Sequence, residues 1–543
     1  EVLEFEEHER ADQVLVHLVQ VYIVLAPTAS DLTVEHSEVL DAKAVGPVLK
    51  AELEAFVQLC HGCLHELLVH HRDKRLFALS GWVHLQTMLL NVLNALNSSQ
   101  AASYQAAEEP LRDFLLIATD IGFQFSADVR QAVRRWMEQS FEEESSSVTV
   151  EDKFWKWQDP FLSMLNQVSE GGKVIDEFDC FDNIENQITF LPEHTLIDVL
   201  SHGFSFERKE VKEIMPLMAM HPCEDVAITA LGVMLEYIEQ LSTTGLSRLI
   251  TIRNWLPTSR HPLLDSVIRG GRKQNALELA DHDTRFSDVK VVRHLASTID
   301  GAGAQNIITL LKSKFGYKSF IGVVKENIGW IDVWSSSWTS RAECERILRS
   351  FQKSVFTIEV NGDYIEFIFR QGLFWNSEST LIPHPEFLHW VEMLNDTQVN
   401  PRHFNRKDLC YLLDLEPDTK PSPFHIRQSM EVSSQWLRQG QFAVGWFEVG
   451  DHVEDYLSRH FPEESESVLE HCVQHVFEPI RQKWAYRLYR LAFWSHCNMK
   501  RRGPKMMDFF SMASLMESDT PLENLPFIRD LAMATLSAYA YEH

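Results

Sequence analysis

The sequence predicts a mainly α-helical protein, an irregular or HEAT-like stack of helices with a small α+β insert. Three observations carry this prediction: prolines that open apolar runs, one short stretch rich in β-branched and aromatic residues, and long helical runs after that stretch. The chain has 543 residues, of which 45% are hydrophobic. That is enough material for several domains, each with its own core.

Proline repeatedly stands at the start of an apolar-periodic run, where its missing N–H and fixed φ suit the first helical turn. Pro160, Pro192, Pro222 and Pro262 follow one another at intervals of 32, 30 and 40 residues. One antiparallel helix pair of a solenoid has this length. The spacing favours a HEAT-like stack over about 108–315, and an irregular multi-helix domain is the alternative.

Changes of composition along the chain predict five regions. They are an N-terminal helical domain over 1–140, an acidic and serine-rich linker over 141–152, a helical-repeat-like region over 153–316, the α+β insert over 317–373, and a C-terminal helical domain over 374–543.

The insert is predicted to run strand, strand, helix, strand, strand. The segments SFIGVV and GWIDVW are rich in β-branched and aromatic residues, and Ser340 with Glu343 has the spacing of a capping box that starts a helix. The segment SVFTIEV-NG-DYIEFIFRQ predicts a hairpin, because Asn361-Gly362 can form a type I′ turn.

The formal net charge of −28 favours solubility and argues against a surface that lies entirely on nucleic acid or an anionic membrane. Eight cysteines without regular spacing suit a reducing compartment. No apolar run is long enough to span a bilayer, and the acidic start at Glu1 differs from a signal peptide. We therefore expect a soluble, cytoplasmic protein without a membrane partner.

The segment CHGCLHELLVHH, residues 60–71, contains six potential metal ligands. A helix would place Cys60, Cys63, His70 and His71 on one face, but Cys63 and His70 would be roughly 10 Å apart along its axis. The ligands of one zinc ion must converge within about 2.3 Å of it. A packed core face is the favoured interpretation, a metal site the alternative. We predict no cofactor.

Four carboxylates of the insert lie on or beside predicted strands, where a nuclease would present metal ligands. They are Asp332, Glu359, Asp363 and Glu366. The lysine expected two residues after Glu366 is replaced by Ile368, so this pattern only weakly favours a metal-dependent hydrolase or nuclease.

The segment from Arg481 to Lys505 is basic and aromatic and contains no Asp or Glu. Its basic residues are Arg481, Lys483, Arg487, Arg490, Lys500, Arg501, Arg502 and Lys505, and Trp484 and Trp494 are among the interleaved aromatic residues. Such a pattern is typical of surfaces that bind phosphates and stack bases. The alternative is pairing with acidic residues of this chain or of a protein partner.

These observations predict a non-catalytic scaffold or adaptor that presents an extended helical surface to a protein partner. The first alternative is a nucleic-acid- or polyanion-binding subunit that uses residues 481–505, and the second is the metal-dependent hydrolase. No catalytic motif is complete, which favours a protein without enzymatic activity but does not decide the question.

Overall fold

The computed structural model describes residues 209–274, 288–395, 399–500 and 504–540, with short gaps between 440 and 465 and a few isolated positions from 129 to 201. The chain divides into two units, Glu1–Leu241 and Ser242–His543, and each is described by itself. The predicted N-terminal domain, the linker and the segment 60–71 lie almost entirely outside the described residues.

Two α-helices of the first unit are described from end to end, α1 (Lys209–Met218) and α2 (Glu224–Glu236), and the short 3₁₀ helix Ile238–Gln240 follows α2. Pro222 lies two residues before α2 and not in its first turn, where the sequence predicts it; Glu224 and Asp225 occupy that turn, where the helix dipole favours acidic side chains. The apolar side chains of α2 are buried, including those of Val226 and Leu231.

The second unit begins with α3 (Thr243–Ile252) and α4 (His261–Gln274). The Ser242 hydroxyl caps α3 by accepting a hydrogen bond from Gly245 N at 2.8 Å. Pro262 is the second residue of α4, as predicted. Among the described residues, no helix is both long enough and apolar enough to cross a membrane.

A five-stranded antiparallel sheet follows these helices, in the order β4-β3-β2-β1-β5. Its strands are β1 (Lys290–Ser297), β2 (Ala304–Ser313), β3 (Gly316–Lys325), β4 (Gly329–Ser335) and β5 (Thr357–Val360). The predicted strands SFIGVV and GWIDVW lie in β3 and β4. The helices predicted for the range of β1 and β2 are wrong. Short apolar runs such as IITLL occur in both buried helices and buried strands, so their pattern does not separate the two.

Helix α5 (Arg341–Ser354) covers part of one face of the sheet. It begins at the N-cap Ser340, whose hydroxyl accepts a hydrogen bond from Glu343 N at 3.2 Å, as the sequence predicts. Cys344 and Leu348 of α5 pack against Ile308 and Ile321 in the hydrophobic cluster of this face.

The predicted hairpin at Asn361-Gly362 is wrong in its second half. β5 ends at Val360, and residues Gly362–Ser379 form the helix α6. The Asn361 side chain caps α6 by accepting a hydrogen bond from Tyr364 N at 3.3 Å. The run YIEFIFRQ resembles a strand because this helix is apolar on most of its circumference.

An aromatic core lies between the other face of the sheet and the helices α6 and α7 (Pro385–Met393). The Phe320 and Trp390 rings stack with centroids 5.7 Å apart, and Trp330 packs on Phe387 at 4.9 Å. Gly322 is required beneath these rings, because a Cβ there would lie 2.7 Å from the Trp330 ring.

Helices form most of the rest of the described chain. They are α8 (Arg406–Leu412), α9 (Pro423–Ser433), α10 (Trp436–Gln439), α11 (Glu466–Cys472), α12 (Arg481–His496), α13 (Met506–Glu517) and α14 (Pro526–Ala540). The helix α12 packs against α13 and carries an almost continuous set of buried residues from Trp484 to Trp494. The described chain is thus mainly helical, as predicted, with a larger sheet than the sequence indicated.

Candidate polyanion-binding surface

The basic segment 481–505 does not form a continuous basic stripe on the surface. The side chains of Arg487 and Arg490 are only 2% and 0% exposed, and Trp484 and Trp494 are also buried. These four residues lie in the interior of the second unit, where α12 meets the sheet and the surrounding loops.

A single carboxylate bridges the two buried guanidinium groups. Glu326, in the turn between β3 and β4, accepts hydrogen bonds from Arg487 Nε at 2.7 Å and from Arg490 Nη1 at 2.6 Å. Arg487 Nη1 also donates to Gly301 O at 2.9 Å. Since an unpaired buried charge is costly, Glu326 is what makes this position of α12 acceptable.

The first turn of α12 is paired as well. Lys483 Nζ donates to Glu448 Oε1 at 2.5 Å, and Trp484 Nε1 donates to Glu448 Oε2 at 2.7 Å. Arg481 pairs with Glu478 at 2.9 Å. The basic residues of this helix therefore bind acidic groups of the same chain.

The end of the segment is more accessible. Lys500 is 65% exposed, and its ammonium group lies 3.1 Å from Glu359. Lys505 is exposed at the N-terminus of α13, while Arg501 and Arg502 lie outside the described residues. Polyanion binding by this short stretch remains a prediction.

A second basic surface lies at one end of the sheet. Lys290 of β1 stands directly opposite Lys312 of β2, and Lys312 stands directly opposite Tyr317 of β3. Both lysines are exposed, and Lys312 Nζ lies 5.9 Å from the centre of the Tyr317 ring. Residues directly opposite each other point to the same face of a sheet, so these three side chains form one row.

The turn between β2 and β3 extends this row with exposed aromatic surface. Phe315 is 62% exposed, Lys314 Nζ lies 5.0 Å from its ring centre, and the Trp338 ring lies 6.3 Å away. We call Lys290, Lys312, Lys314, Phe315, Tyr317 and Trp338 the sheet-end cluster.

The backbone holds this cluster in place. Tyr317 and Thr339 exchange backbone hydrogen bonds of 2.9 and 2.8 Å, which fix Trp338 beside the turn. Gly316 allows this approach, since its φ is +124° and a Cβ there would lie 2.5 Å from Thr339 O.

The charges of the cluster are not neutralised by described neighbours. Within the described ranges, Lys290, Lys312 and Lys314 form no ion pair with a carboxylate. Asp288 lies nearby, but its side chain accepts from the backbone N–H of Lys314 at 3.4 Å. Between residues 288 and 354 there are ten Lys and Arg against six Asp and Glu, a local excess of positive charge in a chain of net charge −28.

Three of the four carboxylates considered for a metal site have other neighbours. Glu359 pairs with Lys500, Glu366 pairs with Arg370 at 3.0 Å, and Asp363 accepts from the side chain of Asn361 at 2.8 Å. Over the described ranges, no three His, Cys, Asp or Glu side chains are grouped so that they could hold a metal ion.

Sequence reasoning missed the sheet-end cluster because the predicted insert began at 317 and cut the hairpin between β2 and β3. The segment KSKFGYK alternates lysine with other residues on either side of Gly316. This alternation could have predicted a hairpin with basic side chains. The contribution of Lys290 depends on the register of β1, which the local sequence does not reveal.

Two parts of the chain match family models. Residues 411–540 match the Y4lR C-terminal helical domain, and residues 192–275 match the Y4lR second domain. The described structure of 411–540 is helical, in agreement with the description of that family. The sheet and the sheet-end cluster lie outside both matched ranges.

One similar protein is the uncharacterized protein y4lR of Sinorhizobium fredii (strain NBRC 101917 / NGR234). It is 23% identical to this chain over 303 residues, which are 55% of this chain and 56% of the relative. The match therefore spans just over half the length of that relative. No solved structure is significantly similar to the chain.

Proposed function

We propose that this protein binds polyanions, and nucleic acid in particular, through the sheet-end cluster. The observation that carries the proposal is the placement of Lys290 directly opposite Lys312, both exposed and without an ion-pair partner in the described chain. Like charges directly opposite each other destabilise a sheet. An anionic ligand would turn this repulsion into a favourable contact.

The aromatic side chains favour nucleic acid over other polyanions. Proteins that bind single strands combine lysines and arginines, which contact phosphates, with aromatic rings, on which bases stack. Phe315 is the most exposed ring of the cluster, and Lys314 lies close enough to it to contact the phosphate of a stacked nucleotide.

The acidic charge of the whole chain supports a localised binding surface. At −28, most of the surface repels a nucleic acid, and the basic excess around the sheet gives the ligand one favourable approach. A local site of this kind predicts weak binding with strong salt dependence.

Fluorescence anisotropy of labelled single-stranded RNA and DNA tests the proposal. Three phosphate contacts give a salt slope of about −2 for a single strand, so affinity should fall roughly 20-fold between about 50 and 200 mM salt. The triple variant Lys290→Glu, Lys312→Glu, Lys314→Glu should abolish binding.

A matched control carries the same change of charge on exposed lysines outside the cluster. These are Lys273, Lys407 and Lys420, each changed to Glu. The control should retain most of the affinity. An equal loss in both triple variants would show a general charge effect, and flat titrations of the wild-type protein would refute the proposal.

Binding of a protein partner is the second candidate, in line with the adaptor function and the HEAT-like stack predicted from the sequence. Strand β4 is an edge of the sheet, and it exposes Ile331 by 45% and Trp334 by 40%. Exposed apolar side chains on an edge strand are suited to a protein contact.

A pull-down with the wild-type protein and an Ile331→Glu, Trp334→Glu variant tests this candidate. A partner that binds at β4 should be retained by the wild type and lost from the variant. Recovery of the same proteins by both would exclude β4 as the docking strand.

A further inference from the structure

The guanidinium group of Arg490 has an unused binding edge in the interior of the protein. Nη1 donates to Glu326, but Nε and Nη2 have no hydrogen-bond partner in the described chain, although the side chain is 0% exposed. Nε and Nη2 together form the two-pronged edge that matches the two oxygens of a carboxylate or phosphate.

Three other arginines of this chain show what normally occupies that edge. In each of them Nε and Nη2 donate to the two oxygens of one carboxylate. The pairs are Arg248 with Glu392 at 2.7 and 2.9 Å, Arg253 with Asp265 at 2.6 and 2.9 Å, and Arg346 with Glu343 at 3.0 and 2.5 Å. Arg490 presents the same edge without such a carboxylate and is more deeply buried than Arg253 or Arg346.

The charges around Arg490 favour an additional anion. Arg487 and Arg490 share Glu326, and Lys483 and Arg487 share Glu448, the latter at 3.7 Å. Among the described residues, the only carboxylate that Arg490 pairs with is therefore the one that it shares with Arg487. The guanidinium of Arg490 also lies 4.7 Å from the centre of the Trp375 ring, a cation–π contact that offsets part of its desolvation.

Gln371 of α6 is a second buried side chain with an unpaired donor. Its Nε2 has no partner in the described chain, while its Oε1 accepts from Phe404 N at 2.9 Å and lies 3.3 Å from the Tyr486 hydroxyl, which donates to Phe404 O at 2.7 Å. Trp375 follows Gln371 by one turn of α6, and Tyr486 precedes Arg490 by one turn of α12. Gln371 and Arg490 thus each contact a side chain of the opposite helix, Tyr486 and Trp375 respectively.

We propose that the Nε/Nη2 edge of Arg490 binds a small oxyanion, a carboxylate or a phosphate, between α6 and α12. Gln371 Nε2 donates a further hydrogen bond to the same ligand. The ligand is small, because the residues around it leave Arg490 with no exposed surface. This site is separate from the sheet-end cluster and does not depend on the function proposed for it.

Thermal unfolding with formate, acetate or inorganic phosphate tests the site, with ionic strength held constant by chloride. At ten times its Kd, the bound anion should raise Tm saturably by about 2–4 °C. Stabilisation by formate or acetate alone would identify a carboxylate site, and stabilisation by phosphate alone a phosphate site. No saturable stabilisation by any of the three would overturn the proposal.

The variant Arg490→Lys keeps the positive charge but loses the two-pronged edge, and it should lose the saturable shift. The matched control Arg346→Lys changes an exposed arginine whose edge is already paired with Glu343, and it should keep the shift. Equal shifts in wild type and Arg490→Lys would overturn the proposal.

Crystals of the wild-type protein soaked in sodium selenate give an independent answer if Arg490→Lys does not fold. Anomalous selenium density beside Nε and Nη2 would support the site. A water molecule alone at that position, together with no saturable stabilisation by formate or acetate, would refute it.

Discussion

The basic residues of α12 and those at the end of the sheet have opposite environments. Arg487 and Arg490 are buried and bound to Glu326, whereas Lys290 and Lys312 are exposed and have no ion-pair partner in the described chain. In the sequence, the α12 segment has the stronger signature of nucleic-acid binding. The comparison shows that the availability of a positive charge depends on its acidic neighbours in the fold and not on the local density of basic residues.

The largest expected effect comes from removing the carboxylate that neutralises α12. Glu326→Gln leaves the buried Arg490 without a carboxylate and Arg487 with only the longer contact to Glu448, and we expect the free energy of unfolding to fall by about 3–5 kcal/mol. Urea denaturation followed by tryptophan fluorescence measures this loss. Glu343→Gln, which breaks an exposed pair with Arg346, serves as control and should leave the midpoint unchanged. Equal losses of stability in the two variants would show that the buried Glu326 contributes no more than the exposed Glu343.

His294 extends the comparison to a buried basic side chain that, unlike an arginine, can be neutral. Burial lowers the pKa of His294 to about 4, and its Nδ1 lies 2.8 Å from the Thr309 hydroxyl. The unfolded chain binds a proton at its ordinary pKa of about 6.5, so folding opposes protonation. The stability contributed by neutral His294 is present above pH 6.5 and should fall by about 2–3 kcal/mol as the pH drops toward 4.

Urea denaturation at pH 7 and pH 4.5 measures this dependence. His294→Gln cannot take up a proton and should show a smaller loss of stability between the two pH values. The same pH dependence in wild type and variant would assign it to other groups, such as the buried carboxylates.

A smaller loss of stability is expected when a methyl group is placed against the Glu326 carboxylate. Gly303 has a φ of +80°, and a Cβ there would lie 2.8 Å from Glu326 Oε2. Gly303→Ala should reduce stability by about 1–3 kcal/mol, through backbone strain and displacement of the carboxylate. The control Gly232→Ala lies within α2, where a Cβ meets nothing within 4 Å. It should leave stability unchanged or raise it by up to about 1 kcal/mol. Similar losses in thermal unfolding of both variants would contradict this explanation.

The smallest effect on stability is expected at the tip of the β2–β3 turn. Phe315 is 62% exposed, so Phe315→Ala should leave Tm within about 1 °C of wild type, since exposed side chains contribute little to the core. Its affinity for single-stranded nucleic acid should nevertheless fall about tenfold, because a stacked base is worth about 1–3 kcal/mol. Anisotropy titrations measure the affinity. An unchanged Kd would show that the sheet-end cluster binds through its charged lysines alone, without a base stacked on Phe315.

Patterns over a few neighbouring residues predicted the structural features that depend on those residues alone. Pro222 and Pro262 mark helix starts, Ser340 caps α5, and the apolar runs of β3 and β4 form strands. The error at Asn361 has the same origin, because an asparagine before a glycine is a good turn residue and also a good N-cap.

The candidate sites depend on contacts between distant residues, which local patterns do not contain. Glu326 lies more than 160 residues before the arginines that it pairs with. Lys290 and Lys312 become neighbours through the register of two strands. The basic and aromatic character of 481–505 was visible in the sequence, but the partner that buries it was not.

The shared carboxylate of Glu326 also has a consequence for how the second unit folds. Neither the sheet nor the C-terminal helices can reach their final packing alone, since without Glu326 the helix α12 would bury Arg490 with no carboxylate and Arg487 with only Glu448, 3.7 Å away. Fragments that separate 288–360 from 399–540 should be unstable singly and should regain structure when mixed. Contacts over so many residues also slow folding, because a long loop must close before they can form.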